Sequence, residues 1–363
     1  MMLRVGKSES IDQTKFDTYF RRILESGVVT NHGQLVRELE TKICEFVGVK
    51  HCVVVCNATV AIQVVAIVLG LRGKRVIVPS FTFPATAHAL AWIGAEPLFV
   101  DVDLSTHNID ARSIESSDLN DASAIVAVNL WGRPCDIVAL DELSNAAGIP
   151  VIYDSAHAFG VAVDGRRIGT FGRAEVFSFH ATKFFSTGEG GAIVTDDDAL
   201  AESCRQVINF GAGVSGGDLV GTNAKMNEIS AAFGLTMFDE IERMRDRNRF
   251  IYQVFKGALR MITGVEVIEM DAPGVEQTYH YMLIEVDGVI RDDLVRWLSD
   301  DGVACKRYFC PPCSELPPYA STARACSNSV SLSKRLVSLP MGAQMDSRAI
   351  DHVCGSIERF MKL

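Results

Sequence analysis

Short apolar runs alternate with stretches of helical periodicity along the first two thirds of the chain. Seven of these runs predict strands, at Cys52–Cys56, Arg75–Val78, Pro97–Val100, Ala124–Asn129, Pro150–Asp154, Val176–Phe179 and Ala192–Thr195. Apolar positions at helical spacing between them predict helices that include Val60–Leu69, Thr86–Trp92 and Ile137–Ala147. Continuous apolar strands that alternate with helices are typical of a parallel sheet covered on both faces. The pattern therefore predicts an α/β fold with a mostly parallel, seven-stranded sheet.

Helical periodicity continues on both sides of this region. Two helices are predicted ahead of the first strand, at Ile11–Leu24 and Gln34–Val47, and a long helical region extends from Asn223 to about Leu259. We place a domain boundary inside or just after that region, near residue 240, which divides the chain into a large domain, residues 1–240, and a smaller C-terminal α+β domain, residues 241–363. The small domain is expected to contain strands near Val265–Ile268, His280–Val286 and Val303–Tyr308 and helices at Arg291–Leu298 and Ser347–Met361.

The charge balance and the cysteine pattern argue against several classes of function. The 363 residues carry a net charge of -10 and contain no basic run, so neither nucleic acid nor an anionic membrane is an expected partner. No apolar stretch reaches the roughly 18 residues of a spanning helix and the start has no signal-peptide core, so we expect a soluble, cytoplasmic protein. Ten cysteines lack the spacing of a disulfide scaffold, and Cys310-Pro-Pro-Cys313 has no second pair or nearby histidine, so no metal site is expected.

Polar residues follow four of the predicted strands at the point where each strand ends. They form the segments Asn57–Thr59, Ser80–Phe83, Asp154–His157 and Ser178–Lys183. Because binding sites in parallel sheets lie at the carboxyl ends of the strands, we expect these segments to meet at one edge of the sheet.

Lys183 lies in the turn after the strand Val176–Phe179, and a glycine-rich segment, Thr187–Gly191, then turns the chain back into the next strand. A lysine just past a buried strand is partly removed from water, which disfavours its charged form and lowers its pKa. An amine that attacks a carbonyl carbon must be unprotonated, so this position suits a reactive lysine. The alternative is an ordinary exposed lysine in a surface loop.

Asp154 ends an apolar strand, which brings a carboxylate to the edge of the core, where it requires a cation as partner. A pyridinium nitrogen is one such cation, and an arginine or a helix N-cap role is the alternative. Three residues later, His157 would hydrogen-bond either a ring substituent or only the backbone. In the segment Asn57–Thr59, the first amides of the next helix would bind a phosphate, or Asn57 and Thr59 would only cap that helix.

One chemistry uses these residues together, namely that of pyridoxal phosphate. Lys183 would bind the cofactor and carry a proton at the substrate carbon, and Asp154 would keep the pyridine nitrogen protonated. Residues 57–59 and Ser178 would hold the phosphate, and the aromatic pair Phe81/Phe83 would provide a ring, Phe83, that stacks on the cofactor. A second motif is rejected: Gly211–Gly216 matches the dinucleotide pattern G-x-G-x-x-G, but a helical stretch rather than a strand precedes it.

These segments resemble those of the DegT/StrS family of pyridoxal-phosphate-dependent nucleotide-sugar aminotransferases. The resemblance extends over nearly the whole chain, through Gly27–Gly33, Asn57–Thr59, Pro79–Phe83, Phe99–Asp103, Gly132–Asp136, Asp154–His157, Ser178–Lys183, Gly188–Gly191, Gly221–Glu228 and Leu339-Pro340. It implies an aspartate-aminotransferase-like large domain (fold type I) with a smaller C-terminal domain. It also implies a homodimer with active sites at the subunit interface.

The resemblance also implies roles for individual residues. Lys183 corresponds to the cofactor-bound lysine, Asp154 to the partner of the pyridine nitrogen, Phe83 to the stacking residue and His157 to the contact of the ring hydroxyl. Phosphate contacts correspond to Ala58, Thr59 and Ser178, with Asn223, or else Lys225, reaching the phosphate from the other subunit.

The substrate implied is a nucleotide-linked keto-sugar. Family members that dehydrate sugars carry histidine at the position of Lys183, so this chain resembles instead the enzymes that aminate C4 of a dTDP-4-keto-6-deoxyhexose, with glutamate as amino donor. His180 and Tyr308 are the expected substrate contacts. The loop after Tyr308 lacks the family's histidine, whose equivalent place falls at Cys313 or Ser314. Amination at C3, a cyclitol ketone as substrate, and a non-catalytic regulatory protein that binds the cofactor are the alternatives.

Overall fold

A seven-stranded sheet forms the centre of the computed structural model, which describes residues 2–212, 220–321 and 323–363. Its strands in chain order are β1 (His51–Val55), β2 (Arg75–Pro79), β3 (Glu96–Val100), β4 (Ala122–Val128), β5 (Val151–Asp154), β6 (Ala174–Ser178) and β7 (Gly191–Thr195). Each corresponds to one of the seven strands predicted from the sequence, with bounds that differ by one or two residues. The predicted α/β fold class is confirmed.

The strand order is β1-β7-β6-β5-β4-β2-β3, and β7 is the strand that is antiparallel to both of its neighbours. The remaining neighbours pair in parallel. The carboxyl ends of β1, β2, β5 and β6 therefore lie at one edge of the sheet, together with the beginning of β7 at Gly191. The four polar segments predicted to meet follow those strand ends.

Helices cover both faces of the sheet because the buried strands present apolar side chains to both. Val53 and Val55 pack in the same cluster as helix residues such as Ala61 and Val65, whereas Cys52 and other alternate positions pack in the cluster on the opposite face. The helices are α1 (Gln13–Ser26), α2 (Gln34–Val47), α3 (Ala58–Val68), α4 (Pro84–Trp92), α5 (Ser116–Asp121), α6 (Ile137–Ala147), α7 (Asp198–Val207), α8 (Glu228–Phe238), α9 (Ile241–Leu259), α10 (Arg291–Asp300), α11 (Ser327–Arg335) and α12 (Ser347–Met361).

The C-terminal part contains a three-stranded antiparallel sheet of β8 (Glu266–Val267), β9 (Met282–Glu285) and β10 (Leu336–Leu339). Helices α9, α10 and α12 share one buried cluster with this sheet. Further short strands lie at Leu3–Arg4, Ala162–Val163, Arg166–Arg167, Val275–Glu276 and Val303–Ala304. Leu3–Arg4 pairs in parallel with Val303–Ala304. This pairing brings the beginning of the chain onto the C-terminal part.

Two expectations about the second half of the chain need correction, and two elements were missed. The helical region 223–259 contains two helices, because it is interrupted at residues 239–240, and its first helix begins only after Asn227, which caps α8 through its side chain. The strand expected at Val303–Tyr308 ends at Ala304, and β10 and α11 were not predicted. The domain boundary at residue 240 remains a prediction, although α8 and α9 do separate at residues 239–240.

Two further points concern expected absences. Within the described ranges, no helix is long and apolar enough to cross a membrane, and no group of three metal-ligating side chains forms. Residues 213–216 of the rejected glycine pattern lie outside the described residues.

Candidate active site

A cavity of about 620 Å³ opens at the sheet edge where the polar segments meet. Of the site residues predicted from the sequence, nine line this cavity: Ala58, Thr59, Phe83, Asp154, His157, Ser178, His180, Lys183 and Tyr308. They come from different parts of the chain and from four strand ends. The tenth, Asn223, does not line it.

Lys183 is half-buried in the turn after β6, where its backbone N–H donates to the carbonyl of His180 at 2.9 Å. Burial lowers the pKa of its amine to about 8, the nearby Asp154 carboxylate opposes this change, and the Lys306 ammonium adds to it. Within the described part of the chain, the Nζ atom makes no hydrogen bond or ion pair. Lys183 is therefore an amine that is partly unprotonated near neutral pH and free to react.

The lowered pKa predicts a pH-dependent stability for the cofactor-free protein. Between the folded-state value of about 8 and the usual 10.5, the unfolded state binds more protons, so the free energy of unfolding rises with pH across this window. Below about pH 8, the cost of burying the ammonium lowers the free energy of unfolding by its full amount. We expect Lys183→Met to be more stable than the wild type at pH 7 and to lose this advantage towards pH 10. Thermal unfolding of both proteins across that range measures the difference, and a difference independent of pH would contradict the prediction.

Asp154 is buried at the end of β5. The Thr86 hydroxyl donates to its Oδ2 at 2.7 Å and the Ala156 N–H donates to its Oδ1 at 3.1 Å. Burial raises the pKa of the carboxyl even though these hydrogen bonds and the charge of Lys183 act in the opposite direction. In the described residues no arginine pairs with it and it caps no helix, so the two alternatives to a pyridinium partner find no support. A cationic ring nitrogen would complete its surroundings.

His157 accepts a hydrogen bond at Nδ1 from the backbone N–H of Trp131, at 3.1 Å, and its ring stacks on the Trp131 indole with 5.4 Å between centroids. Burial lowers the pKa of the imidazole well below its usual value. The ring is therefore neutral, and because Nδ1 is an acceptor, Nε2 carries the proton. The sequence left two roles open for His157, a hydrogen bond to the backbone and one to a substituent of the cofactor ring. The two roles use different nitrogens: Nδ1 accepts from the backbone, and the Nε2–H remains available to donate to a ring oxygen.

The start of α3 provides an anion site. Asn57 caps the helix by accepting from the N–H of Val60 at 2.9 Å, while the amides of Ala58 and Thr59 have no acceptor among the described residues. Ser178 adds a hydroxyl from the end of β6. Strand β7 approaches closely because Gly191 has no side chain: a Cβ there would lie 2.7 Å from the Ala58 nitrogen. Capping and phosphate binding are compatible here, and a phosphate group fits this cradle.

Ser178→Ala is expected to weaken binding of pyridoxal phosphate by roughly tenfold, the loss typical of one hydrogen bond to a charged group. Titration of the cofactor-free protein, followed by fluorescence, measures the affinity. Pyridoxal without its phosphate is the matched ligand, and its affinity should not change. Ser123→Ala, at the opposite edge of the sheet, is the matched control variant. An equal loss for both ligands would show that Ser178 does not contact the phosphate.

The remaining site residues fall at the mouth and the wall of the cavity. Phe83 precedes α4 and is 57% exposed, which is unusual for a phenylalanine and leaves its ring face open to the cavity. The Nδ1 of His180 lies 2.8 Å from the Thr182 hydroxyl, and its Nε2 lies 3.6 Å from a carboxylate oxygen of Glu189. Burial raises the pKa of the Tyr308 hydroxyl to about 12, so this group is a neutral donor.

Asn223 and Lys225 lie outside the cavity of their own chain. Asn223 is exposed, and the Lys225 ammonium donates to the side chain of Asn209 at 2.9 Å and lies over the Phe210 ring. The expectation that one of them reaches the phosphate of another subunit remains a prediction.

In the loop after Tyr308, Cys313 and Ser314, the residues at the place expected for a histidine, make structural contacts. The Cys313 thiol donates to the carbonyl of Thr82 at 3.3 Å, and the Ser314 hydroxyl lies 2.7 Å from that of Ser80. Both side chains are buried and fasten the loop to the end of β2, and neither lines the cavity. The loop reaches the cavity through Tyr308 and Phe309 instead.

Sequence reasoning missed Thr86, Glu189 and Lys306 as site residues, although all three line the cavity. A signal existed for Thr86, which is a polar residue in the first turn of a mostly apolar helix. Lys306 had none, because it was placed in a predicted strand that is a loop in the structure.

Comparison with known proteins gives consistent results. Residues 10–358 match the model of the DegT/DnrJ/EryC1/StrS aminotransferase family. A dTDP-4-amino-4,6-dideoxy-D-glucose transaminase of Shigella dysenteriae is 33% identical over 348 residues, which cover 94% of this chain and 95% of that protein. A GDP-perosamine synthase of Vibrio cholerae is 30% identical over 353 residues, which cover 94% of this chain and 95% of that protein.

Solved structures extend this similarity to three dimensions. The crystal structure of DesI in the presence of its TDP-sugar product matches with a TM-score of 0.94 at 39% identity, over 99% of this chain and 94% of that chain. The aminotransferase TlmJ from Streptoalloteichus hindustanus matches with a TM-score of 0.93 at 26% identity, over 99% of each chain. The predicted aspartate-aminotransferase-like fold is confirmed.

Proposed function

The chain belongs to the DegT/DnrJ/EryC1/StrS aminotransferase family, and we propose that it transfers an amino group from glutamate to the C4 keto group of a dTDP-4-keto-6-deoxyhexose. The product is a dTDP-4-amino-4,6-dideoxyhexose. The observation that carries the proposal is the presence of Lys183, an amine with a pKa lowered to about 8, in the same cavity as the buried carboxylate of Asp154.

The enzyme uses pyridoxal 5′-phosphate, and the residues of the cavity fit this cofactor. The amides of Ala58 and Thr59 and the Ser178 hydroxyl would hold its phosphate. The Asp154 carboxylate would hold its ring nitrogen, and His157 would donate from Nε2 to its ring hydroxyl. When bound, the cofactor supplies an aldehyde carbon that carries the amino group and a ring that withdraws electrons from the substrate carbon. Phe83 would cover one face of the ring.

Lys183 is the residue that moves protons. With the cofactor bound, its Nζ would take the proton from the substrate carbon and hold it for return within the same site. A group with a pKa close to the working pH performs both steps well, because it is neither a weak base nor permanently protonated. Its burial, and the Lys306 charge beside it, keep the pKa in that range.

Asp154 stabilises positive charge at the far end of the same site. A buried carboxylate with no arginine among its described partners offers its full charge to a ring nitrogen, which favours the protonated form of that nitrogen. Thr86 orients the carboxylate through the hydrogen bond at 2.7 Å. A cation held in this way is what the withdrawal of electrons from the substrate carbon requires.

The choice of substrate is supported by the relatives. The Shigella dysenteriae transaminase acts, by its name, on a dTDP-4-amino-4,6-dideoxy sugar, and the DesI structure contains a TDP-sugar. The similarity to GDP-perosamine synthases, at 30% identity, favours a GDP-linked sugar as the second candidate. Amination at C3 remains the alternative that only the product distinguishes.

The direct test is product analysis. Purified enzyme with its cofactor is incubated with L-glutamate and either dTDP-4-keto-6-deoxyglucose or the GDP-linked 4-keto-6-deoxy sugar. Mass spectrometry detects the amino sugar, and nuclear magnetic resonance locates the carbon that bears nitrogen. We expect the dTDP-linked substrate to be aminated at C4 with the higher kcat/KM. Nitrogen at C3, or turnover of the GDP-linked substrate alone, would contradict the proposal. A protein that takes no amino group from any donor would be the regulatory alternative.

We also propose a homodimer. Among the described residues, Val28, Val29, Phe210 and Ile229 are exposed apolar side chains. The N–H of Glu228 donates to the carbonyl of Val29 at 3.0 Å, which joins two of the segments that carry them. Contiguous exposed apolar surface is typical of an interface, and Asn223 lies in the same part of the chain. Sedimentation of the purified enzyme as a monomer would contradict this proposal.

A further inference from the structure

A second, small cavity of about 40 Å³ lies on the other side of Lys183. Its walls come from the beginning of the chain (Val5–Glu9), from the turn of Lys183 and from the C-terminal part. Thr182, Lys183, Lys306 and Tyr308 line both cavities. The small cavity is therefore a side chamber of the active site, directly beside the reactive amine.

The side chamber has an excess of positive charge. Lys7 and Lys306 line it, and neither makes an ion pair within the described part of the chain. The lining carboxylate, Glu9, is neutralised by Arg247, whose guanidinium binds both of its oxygens at 2.6 and 2.9 Å. His280 contributes no charge, because burial lowers its pKa to about 4. The charge and the size of this chamber favour a small anion as its ligand.

A hydrogen-bond donor stands beside the cation. The Ser338 side chain is fully buried, lines the chamber, and its hydroxyl has no hydrogen-bond partner in the described structure. Backbone hydrogen bonds in both directions, at 3.1 and 2.8 Å, fix Lys306 opposite Ser338. An unpartnered hydroxyl is costly to bury, and a polar ligand in the neighbouring cavity would offset this cost. The two backbone bonds also mean that the Lys306 side chain is not needed to hold the loop.

We propose that this side chamber binds the α-carboxylate of the amino donor, with Lys306 as the cation and Ser338 as a hydrogen-bond donor. The α-carboxylate is bonded directly to the carbon that loses its proton to Lys183, so it must lie beside that lysine. A diphosphate is separated from the keto carbon by the sugar ring, and it is too large for a chamber of this volume. The inference rests on the proposed aminotransferase function and names the part of the donor that this surface recognises.

The two half-reactions separate the roles of the donor and the acceptor. In Lys306→Met, we expect the apparent affinity for L-glutamate to fall roughly tenfold to hundredfold, the loss typical of a hydrogen bond between charged groups. The apparent affinity for dTDP-4-keto-6-deoxyglucose in the return half-reaction should change by no more than about twofold. Because the Lys306 charge also lowers the pKa of Lys183, its loss should shift the pH dependence of both half-reactions alike. Stopped-flow absorbance of the enzyme-bound cofactor follows both. Calorimetric titration with glutarate, an unreactive dicarboxylate, should show a weakening similar to that for glutamate, without requiring turnover.

Three variants make the comparison specific. Arg307→Gln removes the neighbouring cation, which pairs with Asp292 at 3.1 Å, and should leave both half-reactions unchanged. Lys306→Arg keeps the charge and should retain most of the affinity for glutamate. Ser338→Ala should weaken glutamate binding by a smaller factor than Lys306→Met.

Two outcomes would overturn the inference. One is an unchanged affinity for glutamate and glutarate in Lys306→Met. The other is a loss confined to the acceptor half-reaction, which would assign Lys306 to the diphosphate. Failure of the proposed function would give a different result. If the enzyme takes the amino group from glutamate but aminates no sugar nucleotide, the effect of Lys306→Met on the glutamate half-reaction can still be measured.

Discussion

Lys183→Met is expected to lower kcat for amino transfer by about 10⁴-fold or more, the upper end of what a positioned proton-transfer group contributes. Methionine approximates the length of the lysine side chain without its amine, so the cavity keeps its shape. The structure gives no reason for the variant to unfold, because the Nζ makes no hydrogen bond within the described residues. The loss should therefore be catalytic.

Steady-state kinetics with L-glutamate and a keto-sugar nucleotide measures this effect. Thermal unfolding of the same preparations shows whether the fold is retained. Lys74→Met, which removes an exposed lysine at the opposite edge of the sheet, is the matched control and should keep full activity. If Lys183→Met kept an activity within tenfold of the wild type, Lys183 would not be the residue that transfers the proton.

Asp154→Asn is expected to lower kcat by about 10²–10³-fold, as when a preorganised electrostatic contact in an active site is removed. The amide has the same shape as the carboxylate but cannot hold a proton on a ring nitrogen. The cofactor-free variant should at the same time be more stable than the wild type at pH 7. Burial raises the pKa of Asp154 above its unfolded value, so the folded state carries a penalty above that pKa, and this penalty is absent at low pH.

The opposite signs of the two effects make this prediction specific. Kinetics at pH 7 and thermal unfolding of the cofactor-free proteins between pH 4 and pH 7 measure them. Thr86→Val, which removes the hydroxyl that donates to Asp154, should lower kcat only about tenfold. A variant Asp154→Asn that is both active and less stable would mean that the carboxylate has a structural role.

Local signals explain which elements could be predicted. The bounds of α2 and α6 agree with the prediction because glycines in the left-handed conformation, Gly48 and Gly148, end both helices, and Asp136 caps the start of α6. The strand β10 was missed because its four residues follow a polar helix without a turn between them. Such a short strand forms because it pairs with β9, and its own sequence contains too little periodic signal to predict it.

The same distinction applies to the site. Lys183 and Asp154 could be predicted together because both follow parallel strands, and parallel strands end at one edge. The tautomer of His157 could not be predicted, since it depends on the backbone N–H of Trp131, which lies on a different loop. The chamber around Lys306 depends on contacts between residues about 300 positions apart, for which a single sequence contains no periodic signal.

The pairing of Leu3–Arg4 with Val303–Ala304 has a consequence for the order of events during synthesis. Gly6 packs against Thr182, next to the reactive lysine, with so little space that a Cβ at Gly6 would lie 2.9 Å from the Thr182 side chain. This wall of the side chamber cannot form until residues 303–304 have left the ribosome. The seven strands of the sheet and the residues of the phosphate cradle, by contrast, all lie in the chain up to Thr195. The residues that would hold the phosphate are thus synthesised well before the partner strand that places the beginning of the chain beside Lys183.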